Sequence, residues 1–279
     1  MSGPAIPIAL TIAGSDSSGG AGIQADLKTF SAFGVYGASA ITALTAQNTR
    51  GVAAVEPVGA AFVVAQIDAV LADLDVRAIK TGMLATAAIV AAVARRLARV
   101  PTVPLVVDPV MVATSGDALL APDAVAALRD ELFPRALMIT PNLAEAARLL
   151  GGPEAGDEAA MIDQARALYR FGVRFVLVKG GHGTGGEAVD ILYDGTAVSR
   201  FARPRVATTN SHGTGCTLSA AIAALLTGGE LSTVAVAAIV ARAKDYVWQA
   251  LRGGADLGVG AGNGPIDHLY DIRRRPQPV

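Results

Sequence analysis

Apolar and polar residues follow two alternating patterns along the chain. Short runs rich in Val and Ile, typical of strands buried on both faces, alternate with segments whose apolar residues recur at helical spacing. Residues 62–74 are such a helix, because Val63, Ile67 and Val70 fall on one stripe. This alternation predicts a mostly parallel sheet covered by helices on both faces.

The predicted strands are short apolar runs that end near Gly, Asp or Lys. They cover residues 8–13, 38–45, 78–81, 105–108, 137–140 and 175–179. After the last of these strands the alternation with helices stops. Residues 188–193 and 198–202 are predicted to form a hairpin, with the turn at Asp194 and Gly195. Further helices are predicted over residues 23–33, 214–227 and 232–251.

No linker, repeat or shift in composition divides the chain. The prediction is therefore one α/β domain over residues 1–279, a three-layer sandwich with a mostly parallel central sheet and helices on both faces. Residues 271–279, which contain an Arg cluster beside Pro276, are expected to be a flexible tail.

Composition narrows the classes of function. Hydrophobic residues make up 52% of the chain and charged residues 17%, enough apolar material for a large core. A net charge of −1 argues against nucleic-acid binding, and residues 29–49 and 206–229 are too polar to span a membrane. No Lys or Arg precedes Lys28 and Cys216 is the single cysteine, so a cytoplasmic location is expected.

Two Gly-rich turns stand where ligands are expected, beyond the carboxyl ends of strands. Residues 14–22 carry no bulky side chain and allow a ligand to approach the backbone. Residues 211–216 precede a helix, whose free N–H groups and positive dipole end favour anions. Cys216 in the first helical turn is expected to have a lowered thiol pKa and to accept a proton; a small buried hydrophobic residue is the alternative interpretation.

Other phosphate and metal patterns are absent or out of context. The chain has no G-x-x-x-x-G-K-S/T motif, and the G-x-G-x-x-G match at residues 181–186 leads into a strand rather than a helix. His182, His212 and His268 lack the spacing of zinc ligands.

Oxygen ligands at strand ends suggest a magnesium site. Asp108 follows an apolar strand, and Glu145 lies one helical turn after Asn142. Asn142 and Glu145 equally suit a helix cap. Lys179 ends another strand and is either a phosphate ligand or a solvated side chain.

Together these segments closely resemble the bacterial hydroxymethylpyrimidine/phosphomethylpyrimidine kinases of the ribokinase-like superfamily. The resemblance runs through nearly the whole chain, at residues 13–26, 42–49, 80–84, 107–111, 140–145, 178–182 and 212–219. It implies ATP-dependent phosphorylation of hydroxymethylpyrimidine and then of its monophosphate, in thiamine diphosphate biosynthesis. It also implies ATP and Mg²⁺ as cofactors and a homodimer.

The resemblance assigns a role to each candidate residue. The catalytic set comprises the base Cys216, the anion hole of Gly213, Thr214 and Gly215, and Lys179. The pyrimidine would be read by Gln47, with Asp26, Met83, Val110, Gly14 and Ala21 around it. Nucleotide contacts are expected from Asn142, Glu145, Lys179, Thr208 and Asn210, and metal contacts from Asp108 and Glu145.

The amide of Gln47 also favours one substrate on chemical grounds. It offers a donor beside an acceptor, which matches the ring nitrogen and amino group of an aminopyrimidine. Pyridoxal lacks that edge, so a pyridoxal kinase is the second hypothesis. A pyrimidine sensor without catalysis is the third. Ser211, Ala207 and Asn263 depart from the family pattern, and the last two bear on the nucleotide side and on closure over the site.

Overall fold

A computed structural model describes residues 6–112, 119–121, 123–181 and 185–273. The strands are β1 Ile8–Ala13, β2 Tyr36–Ile41, β3 Ala43–Asn48, β4 Gly51–Pro57, β5 Val76–Thr81, β6 Leu105–Val107, β7 Met138–Ile139, β8 Phe175–Lys179, β9 Glu187–Tyr193 and β10 Val198–Pro204. The helices are α1 Gly22–Ala32, α2 Ala60–Asp73, α3 Ala87–Leu97, α4 Ala124–Ala127, α5 Leu143–Leu150, α6 Glu158–Tyr169, α7 Thr214–Leu226, α8 Thr233–Gly254 and α9 Tyr270–Arg273.

Within these residues, eight strands form the main sheet in the order β10-β9-β8-β7-β6-β5-β1-β2. Strands β2, β1, β5, β6, β7 and β8 pair in parallel. The β9–β10 hairpin continues the sheet in antiparallel pairing. The predicted α/β class and the antiparallel hairpin are therefore confirmed.

Alternate residues of the central strands face two separate cores. Ala9, Val106 and Phe175 pack against the side covered by α1, α7 and α8. Leu10 and Val107 face α2, α3, α5 and α6 on the other side. Both faces of the strands are thus buried, which explains why they are continuous apolar runs.

The predicted strand at residues 38–45 is wrong in its extent. The main-sheet strand ends at Ile41. Thr42 makes the last bond to β1, from its N–H to Ala13 O at 3.0 Å, and its hydroxyl donates to Met83 O at 2.6 Å. Beyond Thr42 the chain leaves the sheet, and β3 pairs with β4 in a separate hairpin. Strand β4 was missed because Gly51–Pro57 lacks a clear strand pattern.

The end of the chain also differs from the sequence prediction. Residues 271–273 were expected in a tail, yet they belong to α9, where Arg273 pairs with Asp267 at 3.1 Å. Residues 274–279 lie outside the described part of the chain. Across the described residues, none of the helices has the length and apolar character needed to cross a membrane.

Candidate active site

A cavity of about 600 Å³ opens at the carboxyl ends of the parallel strands. The turns after β1, β5, β6 and β7 reach it, together with the end of β8 and the first turn of α7. Most sequence-predicted residues line it: Gly14, Ala21, Gln47, Met83, Asp108, Val110, Asn142, Glu145, Lys179, Thr208, Gly213, Thr214, Gly215 and Cys216. This is where an open α/β sheet places a ligand.

Asp16 organises the Gly-rich turn after β1. Its carboxylate accepts hydrogen bonds from the backbone N–H groups of Ser18, Gly20 and Ala21 at 2.8 to 3.0 Å. Burial opposes ionisation, but hydrogen bonds from His212, Ser18 and Ala21 outweigh it and hold the pKa of Asp16 well below its ordinary value. The turn is therefore pinned from within by a permanent negative charge.

His212 ties this turn to the start of α7 and to the β3–β4 hairpin. Its Nε2 lies 2.8 Å from Oδ2 of Asp16 and 3.5 Å from Nε2 of Gln47. Sequence analysis considered His212 only as a possible zinc ligand and rejected it, and it assigned no role to Asp16. The signal that could have found them is the presence of one acid and one imidazole in the two Gly-rich turns.

Gln47 stands in β3 with its amide half-buried at the cavity. Its backbone N–H bonds to the Ser17 hydroxyl at 2.8 Å, and Thr45 Oγ1 lies 3.3 Å from its Oε1. Met83 and Val110 line the same cavity. The hairpin that sequence analysis did not resolve thus carries the residue predicted to read the substrate.

Asp26 does not reach the cavity wall, contrary to the prediction that it lines the substrate pocket. It is fully buried in α1, and both carboxylate oxygens accept from Lys80 Nζ, at 2.9 and 2.8 Å. Thr11 Oγ1 donates to Oδ2 at 2.6 Å. Lys80, which has no exposed side-chain surface yet belongs to the cavity lining, was not predicted as a site residue.

The first turn of α7 packs tightly against the turn after β1. Gly213 has φ of 83°, and a Cβ there would lie 1.9 Å from Gly20 O, so only glycine fits. A Cβ on Gly215 would lie 3.2 Å from Lys179 Nζ. The helix start and the Lys179 ammonium therefore face the same space, a geometry suited to an anion.

The predicted low pKa of Cys216 is wrong. Burial raises the pKa of its thiol to about 11; Lys80 and a hydrogen bond from the Gly22 backbone favour the thiolate, whereas Asp26 and Asp108 oppose it. The helix-dipole argument omitted desolvation and the two carboxylates, which are far away in sequence. In the free protein Cys216 is a protonated thiol at neutral pH.

Asp108, directly after β6, collects donors from three elements. Oδ1 accepts from Lys179 Nζ at 2.8 Å and from Thr140 Oγ1 at 3.1 Å, while Oδ2 accepts from Ser219 Oγ at 3.1 Å. Burial opposes ionisation, but Lys179 and Lys80 outweigh it and lower the pKa of Asp108. Asp108 is therefore a carboxylate, and the alternative of a solvated Lys179 does not hold.

Glu145 and Asn142 form a complete capping box at the start of α5. Asn142 Oδ1 accepts from the Glu145 N–H, and Glu145 Oε2 accepts from the Asn142 N–H, both at 2.8 Å. Burial raises the pKa of Glu145 to about 7; Lys179 opposes this shift and Asp108 adds to it. Both residues also line the cavity, so capping and ligand contact are compatible.

Asn210, predicted to contact the nucleotide, lies outside the cavity lining. Its Nδ2 donates to the carbonyls of Gly254 and Ala255, at 2.8 and 3.0 Å. These bonds attach the loop before α7 to the end of α8. Its backbone N–H bonds to the Thr208 hydroxyl at 3.0 Å, and Thr208 does line the cavity.

Comparison with known proteins identifies the family. A family model described as phosphomethylpyrimidine kinase matches residues 16–267. The hydroxymethylpyrimidine/phosphomethylpyrimidine kinase of Rhizobium meliloti is 59% identical over 94% of this chain and 97% of the relative. The protein of the same name from Escherichia coli is 51% identical, with the same two coverages.

Solved structures agree on the fold. Pyridoxal kinase from Bacillus subtilis, in an ADP complex, superposes with a TM-score of 0.87 at 36% identity, covering 97% of this chain and 100% of the other. Phosphomethylpyrimidine kinase from Clostridium difficile superposes with a TM-score of 0.74 at 43% identity, covering 86% and 99%. With a family model that spans most of the chain and relatives above 50% identity, the chain belongs to the hydroxymethylpyrimidine/phosphomethylpyrimidine kinase family.

Proposed function

We propose that this protein transfers the γ-phosphoryl group of ATP to the hydroxymethyl group of hydroxymethylpyrimidine and then to the resulting monophosphate, as the names of its relatives describe. One observation carries the proposal. The amide of Gln47, the Asp108–Lys179 pair and the helix start at Gly213–Cys216 all face one cavity. Phosphoryl transfer needs a group that holds the acceptor molecule, charged residues that offset the phosphate charge, and a site for the transferred anion, all within one cavity.

The nucleotide would lie along Lys179, Asn142 and Thr208. A Staphylococcus aureus pyridoxal kinase that superposes with a TM-score of 0.87 at 32% identity was solved with AMP-PCP and pyridoxal. In this chain the buried ammonium of Lys179, whose pKa is raised because the nearby carboxylates outweigh burial, is a fixed positive charge. It would neutralise triphosphate oxygens.

The carboxylates fit a magnesium ion held mainly by water and phosphate. The described residues contain no group of three or more His, Cys, Asp and Glu side chains arranged as a metal cage. Asp108 and Glu145 supply buried oxygens, and Mg²⁺ typically needs only one or two protein carboxylates. When bound, the ion would offset negative charge on the phosphates.

The protein's own part in the reaction is alignment, charge stabilisation and proton removal. Gln47 would fix the pyrimidine, and the start of α7 would receive the charge that spreads over the moving phosphoryl group. The thiolate of Cys216 would take the hydroxyl proton. Because the thiol pKa is about 11, this step should accelerate as pH rises through the neutral and alkaline range.

Pyridoxal phosphorylation is the second candidate. Pyridoxal kinases from Bacillus subtilis and Staphylococcus aureus match this chain over almost its whole length at 36% and 32% identity. The Gln47 amide favours the pyrimidine, because pyridoxal offers no adjacent ring acceptor and amino donor.

An assay of ADP release with hydroxymethylpyrimidine, its monophosphate and pyridoxal as separate acceptors tests the proposal. We expect turnover with both pyrimidines and a much smaller kcat/KM with pyridoxal. Preference for pyridoxal would establish the second candidate. Absence of turnover with every acceptor would favour the third hypothesis, a pyrimidine sensor without catalysis. The variant Cys216→Ala should lose about 10² to 10⁴ in kcat with little change in KM. Light scattering would test the homodimer that we also infer.

A further inference from the structure

The Lys80–Asp26 pair is a charged group that the described mechanism does not use. Both side chains have no exposed surface, and Lys80 lies on β5 in the centre of the sheet. Burying two charges carries a large desolvation cost, and apolar residues in their place are often as stable. Stability alone therefore does not account for an ion pair at this position.

The Lys80–Asp26 pair is oriented relative to the cavity. Lys80 is part of the cavity lining, whereas Asp26 lies behind it in α1, so the positive end faces the cavity. Asp26 is held from a second side by the Thr11 hydroxyl at 2.6 Å. Asp26 thus serves as an anchor that fixes where the ammonium sits.

The ammonium also keeps a donor free. Two of its hydrogen bonds go to Asp26, and in the described part of the chain its third N–H finds no acceptor. Space beside it is kept open by Gly82, where a Cβ would lie 2.9 Å from Lys80 Nζ. A fully buried donor that faces a cavity indicates a partner within that cavity.

Cys216 and Lys80 line the same cavity, and helix α7, which carries Cys216, packs against strand β5, which carries Lys80. Cys216 is the group that changes charge in the proposed reaction. Each of the two side chains acts on the other: the ammonium of Lys80 favours the thiolate, and the thiolate favours the ammonium. Lys179 acts on Cys216 from the end of β8, while Asp26 in α1 and Asp108 after β6 contribute opposing negative charge. Lys80 is therefore a main contribution that opposes the effect of burial on the thiol pKa of Cys216.

We propose that Lys80 is a positioning residue whose ammonium, anchored by Asp26, stands beside Cys216 and stabilises the thiolate that takes the acceptor's proton. The inference rests on the proposed function of Cys216. The acceptor oxygen forms a bond to the γ-phosphorus, and the bond from that phosphorus to the bridging oxygen breaks with its electrons going to ADP. The hydroxyl proton moves to sulfur, which leaves Lys80 facing a neutral thiol.

Because Cys216 is the single cysteine, alkylation by iodoacetamide reports on this thiol alone. The rate would be measured from pH 6 to 11 on the whole protein in EDTA, without substrates. Lys80→Met should slow alkylation at pH 8 by about tenfold, equal to one pKa unit, and Asp26→Asn, whose opposing effect on the thiolate is smaller, should accelerate it by about threefold. The neutral pair D26N/K80M should fall between wild type and Lys80→Met.

Thr11→Val is the matched control, because it removes a hydrogen bond to Asp26 without changing a charge. It should lower stability and leave the alkylation rate at pH 8 where it is in wild type. If Lys80→Met does not fold, Asp26→Asn and the neutral pair still test the inference.

Equal alkylation rates at pH 8 in Asp26→Asn, the neutral pair and wild type would overturn the inference. So would a shift in Thr11→Val as large as in the charge variants, or a rise in KM for Lys80→Met with unchanged alkylation, which would make Lys80 a substrate contact. Failure of the proposed function is distinguishable, since it would appear as absent ADP release from the wild-type protein with hydroxymethylpyrimidine.

Discussion

Two buried Lys–Asp pairs stand around the same cavity and differ in what surrounds them. Lys80 and Asp26 are fully enclosed, whereas Lys179 and Asp108 keep 12% and 2% of their side chains exposed. The enclosed pair connects α1 with the central strand β5; the other lies at the outer ends of β6 and β8. The same two residue types therefore occupy one position within the sheet and another at the strand ends that line the cavity.

The donors on each carboxylate show what this difference means. Asp26 is surrounded by groups of the sheet and α1 and is turned away from the cavity. Asp108 accepts hydrogen bonds from Thr140, directly after β7, and from residues of β8 and α7, and it lies in the cavity lining with Lys179. The comparison supports the two proposals, that the inner pair fixes charge for its neighbours and that the outer pair contacts the ligand directly.

Breaking the inner pair should produce the largest effect on stability. Lys80→Met leaves the Asp26 carboxylate buried without a counter-ion, and such a loss typically costs about 3 to 5 kcal/mol. The measurement is the free energy of unfolding in urea. The double variant D26N/K80M should recover most of the lost unfolding free energy, because no charge remains buried. If the double variant is as unstable as Lys80→Met, packing rather than charge causes the loss.

Breaking the outer pair should instead reduce turnover. Lys179→Met removes a positive charge from the space facing α7, and the loss of one such electrostatic contact typically lowers kcat by about 10² to 10³. Asp108 keeps its bonds from Thr140 and Ser219, so the unfolding free energy should change less than in Lys80→Met. Wild-type kcat in Lys179→Met would contradict the division between the two pairs.

Both pairs also show how far the sequence could predict the site. Asp108 and Lys179 end apolar runs, and parallel strands bring their carboxyl ends to one edge, so their convergence follows from pattern alone. Lys80 and Asp26 are buried by contacts between elements that are 54 residues apart. No local pattern shows that a Lys in an apolar strand is enclosed, and the resemblance placed Asp26 in the pocket itself.

The same limit applies to the fold. Continuous apolar runs gave β1 and β8 with the observed bounds, because burial on both faces leaves a clear signal. The β3–β4 hairpin is exposed on much of its surface and begins after a single residue, Thr42. The chain leaves the sheet at Thr42, whose hydroxyl bonds to Met83 O in a tertiary contact.

Glu145, whose pKa is affected by both members of the outer pair, should contribute a pH dependence to stability. Its folded-state pKa is raised from 4.5 to about 7, so the folded protein holds a proton that the unfolded chain has lost. The contribution of Glu145 to stability should therefore fall as pH rises from about 4.5 to 7, by no more than roughly 3 kcal/mol, and then level off. His268 acts in the opposite direction, because burial lowers its pKa from 6.5 to about 4 and its contribution to stability rises with pH over that range.

Unfolding free energies at pH 5 and pH 8, compared with those of Glu145→Gln, isolate this contribution. The Gln side chain keeps an acceptor for the Asn142 N–H but does not titrate. The unfolding free energy of wild type, relative to that of the variant, should decrease from pH 5 to pH 8. A constant difference between the two proteins would assign the pH dependence to other groups.

The smallest expected effect concerns Asn142, which supports the outer pair from α5. Asn142→Ala removes the acceptor for the Glu145 N–H and should lower the unfolding free energy by about 1 kcal/mol. Asn142→Ser keeps a capping oxygen but loses the amide. If Asn142 only caps α5, the Ser variant should match wild type in both stability and KM for ATP. If the amide also contacts the nucleotide, the Ser variant should keep its stability and still show a raised KM, because the cap and the ligand contact use different atoms of this side chain.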